Sequence, residues 1–136
     1  MKIALEPWAF EPERAYESDA GLDLKAPFGF VLEGRTSVVI DTGVHVAVPE
    51  GCAGFLKSKS GLMVKHGITS EGVIDHQYSG SIVCKLFNNS TKDYEFKKGD
   101  KITQLIVLPV IIEPIEFVDE IKSEGRGNQG FGSSGR

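Results

Sequence analysis

Short runs of β-branched and aromatic residues recur along the chain, and turn-forming residues separate them. This rhythm is typical of an all-β sandwich, jelly roll or barrel. Apolar and polar residues alternate most clearly at Val44, Val46 and Val48, which indicates a strand with one buried face. Strands are predicted at residues 36–40, 44–48, 53–56, 82–87, 93–96, 102–108 and 111–118. One short helix is predicted at residues 61–66.

Proline and glycine mark the places where the predicted strands end. The sequence Val-Pro-Glu-Gly at residues 48–51 puts proline at a turn position and glycine where a positive φ is tolerated, so it predicts a hairpin. Pro109 and Pro114 restrict the last strands to sheet edges or irregular pairing, because proline has no backbone donor. A low-complexity segment begins at Ser123. We therefore expect a β domain at residues 1–122 and a flexible C-terminal arm at residues 123–136.

Composition narrows the class of protein. A chain of 136 residues fits one domain with a real core. The formal net charge of -4 argues against nucleic-acid binding, which needs a basic surface. No apolar run is long enough to span a bilayer, and residues 1–6 lack the apolar core of a signal peptide. Cys52 and Cys84 are too few for a disulfide framework, so the cytoplasm is the expected location.

The C-terminal arm contains the pattern GxGxxG at Gly125, Gly127 and Gly130. A dinucleotide-binding fingerprint needs a strand before this pattern and a helix after it, and the chain leaves no room for that helix. The Rossmann interpretation therefore fails.

Two interpretations of the arm stay open from these residues alone. A disordered terminus is the default for such a composition. The alternative is a phosphate clamp, in which Arg126 binds phosphate, Phe131 stacks on a base, and Ser133 and Ser134 donate hydrogen bonds.

A segment with positive charge joins a predicted strand to the short helix. Lys59, Ser60 and Lys65 lie where backbone amides point outward, so they favour an anion site. A solvated basic loop is the commoner explanation of such a segment.

Two segments carry carboxylates at turns. Asp75 follows an apolar run and precedes Tyr78 by three residues, so it is either a general base or a turn cap. Asp19 and Asp23 flank a glycine, a pattern that suits hydrated Mg²⁺ but also an ordinary turn. The three histidines have no zinc-site spacing, and no Walker A pattern is present.

Taken in order, these segments resemble the five motifs of the trimeric dUTPase family. Single matches are weak, but five in the same order seldom arise by chance. The matching stretches are residues 19–24, 59–62, 72–75 with Tyr78 and Gly80, 99–106, and 126–127 with 130–135.

The resemblance implies a distorted jelly-roll homotrimer that hydrolyses dUTP to dUMP and pyrophosphate at active sites shared between subunits. It implies that Asp75 activates the attacking water and that Asp23 holds the water shell of Mg²⁺. Ser60, the amide of Gly61, and Gln104 would then cradle the phosphates.

The resemblance also assigns the nucleoside and the arm. Tyr78 would pack against the deoxyribose, and the backbone of Gly72, Val73 and Ile74 would read the uracil edge. The arm would close as a lid in which Arg126 holds the outer phosphate and Phe131 stacks on uracil. Gly132, Ser133 and Ser134 would complete the lid.

The chain departs from the family pattern at two places. Lys59 stands where arginine is usual, so a point charge replaces a planar fork and phosphate geometry is expected to be looser. Ser70 and Glu71 stand where a small or amide residue is common, and the segment 66–75 looks slightly shorter than in many members.

Three other functions compete with dUTP hydrolysis. A dCTP deaminase, which shares the fold, needs a glutamate where this chain has Lys85. A phage-type regulatory dUTPase would act by binding another protein. A non-enzymatic trimeric jelly roll, such as a coat protein, would leave the arm without a role.

Overall fold

The computed structural model of the chain describes residues 1–132 and 134–135. Over these residues the protein is built from ten strands and one helix, α1 (Ser60–His66), which lies between β6 and β7. The strands are β1 (Ile3–Leu5), β2 (Leu22–Lys25), β3 (Phe30–Leu32), β4 (Ser37–Asp41), β5 (Val44–Val46), β6 (Cys52–Lys57), β7 (Ile68–Ile74), β8 (Val83–Asn88), β9 (Tyr94–Phe96) and β10 (Lys101–Pro109). The all-β expectation with one short helix is confirmed.

Three sheets enclose the core, and every strand pair is antiparallel. The largest sheet has six strands in the order β2-β10-β6-β7-β8-β4, while β1 pairs with β5 and β3 pairs with β9. The core side chains come from all three sheets, which explains why such short strands are stable together. The largest fully buried ones include Leu24, Leu32, Ile40, Leu56, Ile68, Leu86, Phe96, Ile102 and Leu105.

Sequence patterns located six strands to within a few residues, namely β4, β5, β6, β8, β9 and β10. They missed β1, β2, β3 and β7. Strand β7 carries Ser70, Glu71 and Gly72 in its middle, so it lacks the apolar run or regular alternation that marks a strand. Its pairing with β6 and β8 stabilises the strand conformation, which its composition alone does not favour.

The predicted hairpin at residues 48–51 is wrong. A turn does form there, since the amide of Cys52 donates to the carbonyl of Pro49 at 3.1 Å and Gly51 has a φ of 75°. The strands on either side of this turn belong to different sheets, however, because β5 pairs with β1 and β6 pairs with β10 and β7. Local turn chemistry fixes a change of direction but not the partner of the next strand.

The predicted strand at residues 111–118 is also wrong, because the last strand ends at Pro109. Proline at positions 109 and 114 removes two backbone donors from this stretch. Its large apolar side chains are almost fully exposed: Ile111 86%, Ile112 84%, Ile115 84% and Phe117 96%. Apolar composition alone therefore does not make a strand when no partner edge lies beside it.

The two thiols are free. Cys84 is buried on β8, and this burial raises the pKa of its thiol to about 12, so the thiol stays protonated and unreactive. Cys52 is partly buried.

No helix within residues 1–132 and 134–135 is long and apolar enough to cross a membrane.

Replacing Phe96 by alanine should lower the free energy of unfolding by about 3–5 kcal/mol, because this ring is buried and packs on two others. Its centroid lies 4.8 Å from that of Phe30 and 4.6 Å from that of Tyr94. Chemical denaturation at one fixed subunit concentration measures the change. Phe28→Ala is the matched control, since Phe28 is 51% exposed. An equal loss in both variants would contradict the packing described here.

Candidate active site

Four side chains stand in one row across the large sheet. Gln104 on β10 is paired with Asp23 on β2 and with Lys57 on β6, and Lys57 is paired in turn with Glu71 on β7. Paired residues point to the same face of a sheet, so the register alone brings these polar groups together. Lys57 and Glu71 form an ion pair at 2.5 Å, which lowers the pKa of the Glu71 carboxyl.

Asp23 is a buried carboxylate held between two lysines. It is 2% exposed. Lys59 Nζ lies 2.5 Å from Asp23 Oδ1, and Lys101 Nζ lies 3.1 Å from Asp23 Oδ2. A charge so deeply buried requires such partners, because its desolvation would otherwise disfavour the folded state.

The ion pairs continue outward from Asp23. Lys101 also contacts Glu13 at 3.1 Å, and Glu13 contacts Lys25 at 3.1 Å. Lys101 and Lys25 lower the pKa of Glu13, while Asp23 and then Glu13 raise the pKa of Lys101. We call Asp23 and these four partners the Asp23 cluster. Sequence reasoning gave no role to Glu13, Lys25 or Lys101, because their partners are fixed by strand register.

Gln104 is oriented by its neighbours. Its Nε2 donates to the carbonyl of Ser58 at 3.0 Å. Its side chain lies directly over Gly21, where a Cβ atom would stand only 2.0 Å from Gln104 Oε1. Gly21 therefore keeps open the space that Gln104 occupies. Sequence reasoning missed this role of Gly21, as it missed the ion pairs of Glu13, Lys25 and Lys101.

Buried hydroxyls fix the connection from β6 to α1. The hydroxyls of Ser70 and Thr103 are 2.7 Å apart, and Thr103 Oγ1 donates to the carbonyl of Lys57 at 3.1 Å. Ser58 Oγ accepts from the Ser70 amide at 3.0 Å and donates to the Ser70 carbonyl at 3.2 Å. Ser70, noted above as a departure from the family pattern, thus anchors the loop that leads to Lys59.

Helix α1 begins directly after this anchored loop. Lys59 is its N-cap residue, and no side chain caps its first turn, which contains no acidic residue. Ser60 and Gly61 are exposed. Exposed amides without a side-chain cap, together with the Lys59 ammonium, suit an anion such as phosphate. The structure therefore brings Asp23, Lys59, Ser60, Gly61 and Gln104 into one region, which we call the polar group.

The remaining predicted site residues outside the C-terminal arm form a second region, which we call the turn group. Gly72, Val73 and Ile74 lie on β7, and Asp75 and Tyr78 lie on the turn that follows it. A cavity of about 190 Å³ opens here, lined by Val73, Ile74, Asp75, Tyr78, Ser81 and Val83. A cavity with a carboxylate and an aromatic ring at its edge suits a small polar ring compound.

The Tyr78 ring in the turn group is held in place. Its hydroxyl donates to the carbonyl of Ser81 at 3.0 Å. The ring lies over Gly80, where a Cβ atom would stand 2.3 Å from the Tyr78 oxygen. Gly80 therefore has a steric reason to be glycine.

The polar group and the turn group are far apart within one chain. The row of paired residues crosses β7 at Glu71, and Asp75 lies four residues farther along, which is about 14 Å of strand. Asp23 is three strands away from β7 in the sheet, which adds about 14 Å at right angles. The two aspartates are therefore about 20 Å apart, too far to act on one small ligand.

The C-terminal arm lies at the surface. Arg126, Phe131, Gly132 and Ser134 are all exposed, and Arg126 Nε donates to the carbonyl of Gln129 at 2.6 Å. Ser133 lies outside the described residues. Over residues 123–132 and 134–135 the arm is therefore open to solvent.

Residues 1–132 and 134–135 contain no group of three or more His, Cys, Asp and Glu side chains that could hold a metal ion. Asp23 and Gln104 offer one carboxylate and one amide to a cation, which suits Mg²⁺ that keeps its own waters. A metal ion at this site would need further ligands from water or from a bound substrate.

Family comparison gives one clear match. The dUTPase family model matches residues 9–135. The deoxyuridine 5'-triphosphate nucleotidohydrolase of Tropheryma whipplei (strain Twist) is 40% identical over 131 residues, which is 93% of this chain and 90% of that relative.

Two solved phage enzymes share the fold. The dUTPase of Staphylococcus bacteriophage 80alpha with dUPNHPP has a TM-score of 0.90 and 30% identity, and the match covers 99% of this chain and 98% of that one. Phage dUTPases of this kind are described as controlling transfer of virulence genes by a proto-oncogenic G protein-like mechanism. A mutant dUTPase from phage phi11 of S. aureus, which coordinates a structural Mg(II) ion, has a TM-score of 0.79 and 28% identity over 88% of this chain and 96% of that one.

Replacing Gly21 by alanine should push Gln104 away from Ser58 and lower the free energy of unfolding by about 1–3 kcal/mol, because the new methyl group overlaps the Gln104 side chain. Denaturation measures the loss, and a crystal structure shows the new position of Gln104. Gly61→Ala is the matched control, because a Cβ atom there meets nothing within 4 Å. A Gly21→Ala variant as stable as the control, with Gln104 unmoved, would refute this role.

Proposed function

This chain belongs to the dUTPase family and hydrolyses dUTP to dUMP and pyrophosphate, and we propose that its active site combines the polar group of one copy with the turn group of another. One observation carries this proposal. Together the two groups contain every residue outside the C-terminal arm to which the family resemblance assigns a role in the reaction. The strand register nevertheless keeps Asp23 and Asp75 about 20 Å apart. A second copy of the chain removes this conflict.

The assembly we propose is the homotrimer that the family resemblance implies. The exposed apolar side chains of residues 111–121 support it, because a segment this apolar needs a surface to cover it. Residues 123–136 would continue from that segment as the arm that closes over a site. Arg126 would bind the outer phosphate there, and Phe131, Gly132, Ser133 and Ser134 would cover the nucleotide.

The turn group is proposed to bind the nucleoside. The cavity of about 190 Å³ between β7 and β8 is of a size to admit a pyrimidine ring. Backbone groups of Gly72, Val73 and Ile74 would meet the uracil edge, and Tyr78 would pack on the deoxyribose and leave no room for a 2′-hydroxyl. The fixed position of the Tyr78 ring supports this selection by shape.

The polar group is proposed to bind the triphosphate. Ser60, the amide of Gly61 and Gln104 would donate to phosphate oxygens, and Lys59 would turn from Asp23 toward the phosphates. Mg²⁺ bound to the triphosphate would neutralise charge on the phosphate oxygens. Asp23 would hold the waters of that ion, as its single buried carboxylate suits.

Asp75 is the proposed general base. A water hydrogen-bonded to its carboxylate would attack the α-phosphorus and pass one proton to Asp75. The bond from the α-phosphorus to the bridging oxygen would break, leaving dUMP and pyrophosphate. Asp75 is exposed at the cavity, so both water and substrate can reach it.

The structure and the comparisons argue against two of the competing functions and support the third as a second proposal. Lys85 lies over the ring of Phe87 at 5.1 Å, and an ammonium there cannot do the work that a deaminase glutamate does. The family match excludes a non-enzymatic coat protein. A regulatory role through protein binding is a second proposal, supported by the likeness to the 80alpha enzyme. The free thiols of Cys52 and Cys84 support the cytoplasm as the place of action.

Asp75→Asn should lower kcat for dUTP by at least about 100-fold while leaving nucleotide affinity nearly unchanged, because the amide keeps the shape of the carboxylate but cannot accept the proton. Pyrophosphate release with Mg²⁺ measures turnover, and calorimetry with a non-hydrolysable analogue measures affinity. Asp93→Asn is a control at a carboxylate outside both groups. Turnover at the unmodified rate would remove Asp75 as the base.

Co-expression of Asp75→Asn and Asp23→Asn chains should restore activity that neither variant has alone. If each site takes Asp75 from one copy and Asp23 from the next, random mixing gives about one quarter intact sites. Pyrophosphate release per subunit measures this fraction, after size-exclusion chromatography has shown that all assemblies have the same size. Complete absence of activity in the mixed assemblies would mean that both aspartates serve one site from the same chain.

A further inference from the structure

The turn that carries Asp75 and Tyr78 is held in an unfavourable backbone conformation. Gln77, in the middle of this turn, has a φ of 72°, a left-handed value that residues other than glycine rarely adopt. Inside the turn, the amide of Tyr78 donates to the carbonyl of Asp75 at 3.2 Å. One such bond does not offset the strain of a left-handed residue, so contacts from outside must hold the turn.

Two histidines supply such contacts. His76 Nδ1 lies 2.9 Å from the carbonyl of Val48, and His45 Nδ1 lies 2.8 Å from the carbonyl of Ser79. His45 belongs to β5, so it ties the end of the turn to the two-stranded sheet of β1 and β5.

His45 has a second partner on its other ring nitrogen. Its Nε2 lies 3.2 Å from Oε1 of Glu6, which follows β1. The Ser79 carbonyl and the Glu6 carboxylate are both hydrogen-bond acceptors. A neutral imidazole donates from one nitrogen only, whereas an imidazolium donates from both. Only doubly protonated His45 therefore satisfies both partners.

The charges around His45 favour that doubly protonated form. The hydrogen bond to the Ser79 carbonyl and then the one to Glu6 raise the pKa of His45, burial opposes them, and Asp41 at the end of β4 adds to the rise. Lys2, His45 and His76 all line a cavity of about 570 Å³ beside β1 and β5, and a charged Lys2 there opposes the rise in the pKa of His45. Since the pKa in the folded protein is raised, both bonds are present at low pH and one is lost as pH rises through that pKa.

We propose that doubly protonated His45 is a positioning residue, which holds the turn of residues 75–79 in the shape that binds nucleotide, so that use of dUTP weakens when His45 loses one ring proton. This inference rests on the proposed placement of Asp75 and Tyr78 in the active site. It adds a residue to which neither the motifs nor the polar and turn groups assign a role. His45 acts through the turn and does not contact the substrate.

The protonation state is tested first, by NMR of the ¹⁵N-labelled protein without nucleotide. At pH 6 both ring nitrogens of His45 should carry protons, and the backbone amides of Ser79 and Gly80 should shift with the same midpoint as the His45 ring. His66, which packs against Tyr94, serves as an internal reference. A His45 with a single ring proton at pH 6, or turn amides that do not follow its titration, would overturn the proposal.

The effect on dUTP use is tested with His45→Gln, whose amide donates to one of the two acceptors but carries no charge. The ratio of kcat/KM between unmodified enzyme and variant is measured from pH 5.5 to 9, so that pH effects common to both enzymes cancel. We expect a ratio of roughly tenfold at low pH, falling toward one above the His45 midpoint, as for loss of one charge-assisted bond. His66→Gln should give a ratio near one throughout.

Two further outcomes are informative. A His45→Gln ratio that does not change with pH would show a role in folding alone and would overturn the proposal. Glu6→Gln should lower the pH at which the His45 ring titrates by NMR, and it tests the same bond if His45→Gln fails to fold. Absence of dUTP hydrolysis in the unmodified enzyme would instead refute the proposed function, while the NMR result would still decide the protonation state of His45.

Discussion

The pairing of β10 with both β2 and β6 is the constraint on which the rest of the structure depends. Because Gln104 faces Asp23 on one side and Lys57 on the other, one register places groups from three distant parts of the sequence in a single row. That row buries the Asp23 carboxylate, and the burial in turn demands the two lysines that reach it. A slip of β10 by one residue would turn these side chains to the opposite face.

The same strand pairing also keeps the polar group and the turn group apart within one chain. Strand β7 continues the row at Glu71 and then carries the chain about 14 Å away before Asp75 appears. The rigidity of a paired strand that aligns the polar group therefore also keeps the turn group apart from it. If the proposed residues act on one substrate, this geometry requires sites shared between copies, and the exposed apolar segment after Pro109 offers a surface for contact between them.

Sequence reasoning singles out candidate residues at strand ends and turns, because their types there are chemically unusual: Asp75 after an apolar run, or Lys59 before a helix. It could not find Lys101 or Glu13, whose importance comes only from the partners that register gives them. The sequence pattern predicts Gly21 in a turn, whereas the structure shows that its missing Cβ leaves space for Gln104. The two errors, at residues 48–51 and 111–118, share one cause. Turn chemistry and apolar composition are local, but the choice of strand partner is not.

The lysine at position 59 has a physical consequence beyond the loss of a planar fork. Asp23 has two cationic partners, so one can leave while the other still compensates the buried charge. Removing the sole partner of a buried charge costs about 3–5 kcal/mol, and the second partner, Lys101, avoids most of that cost. Lys101 is itself held by Glu13, which would keep it beside Asp23 if Lys59 turned toward phosphate as proposed. With two lysines on Asp23, Lys59 could leave that carboxylate at a smaller cost in free energy than a single partner could.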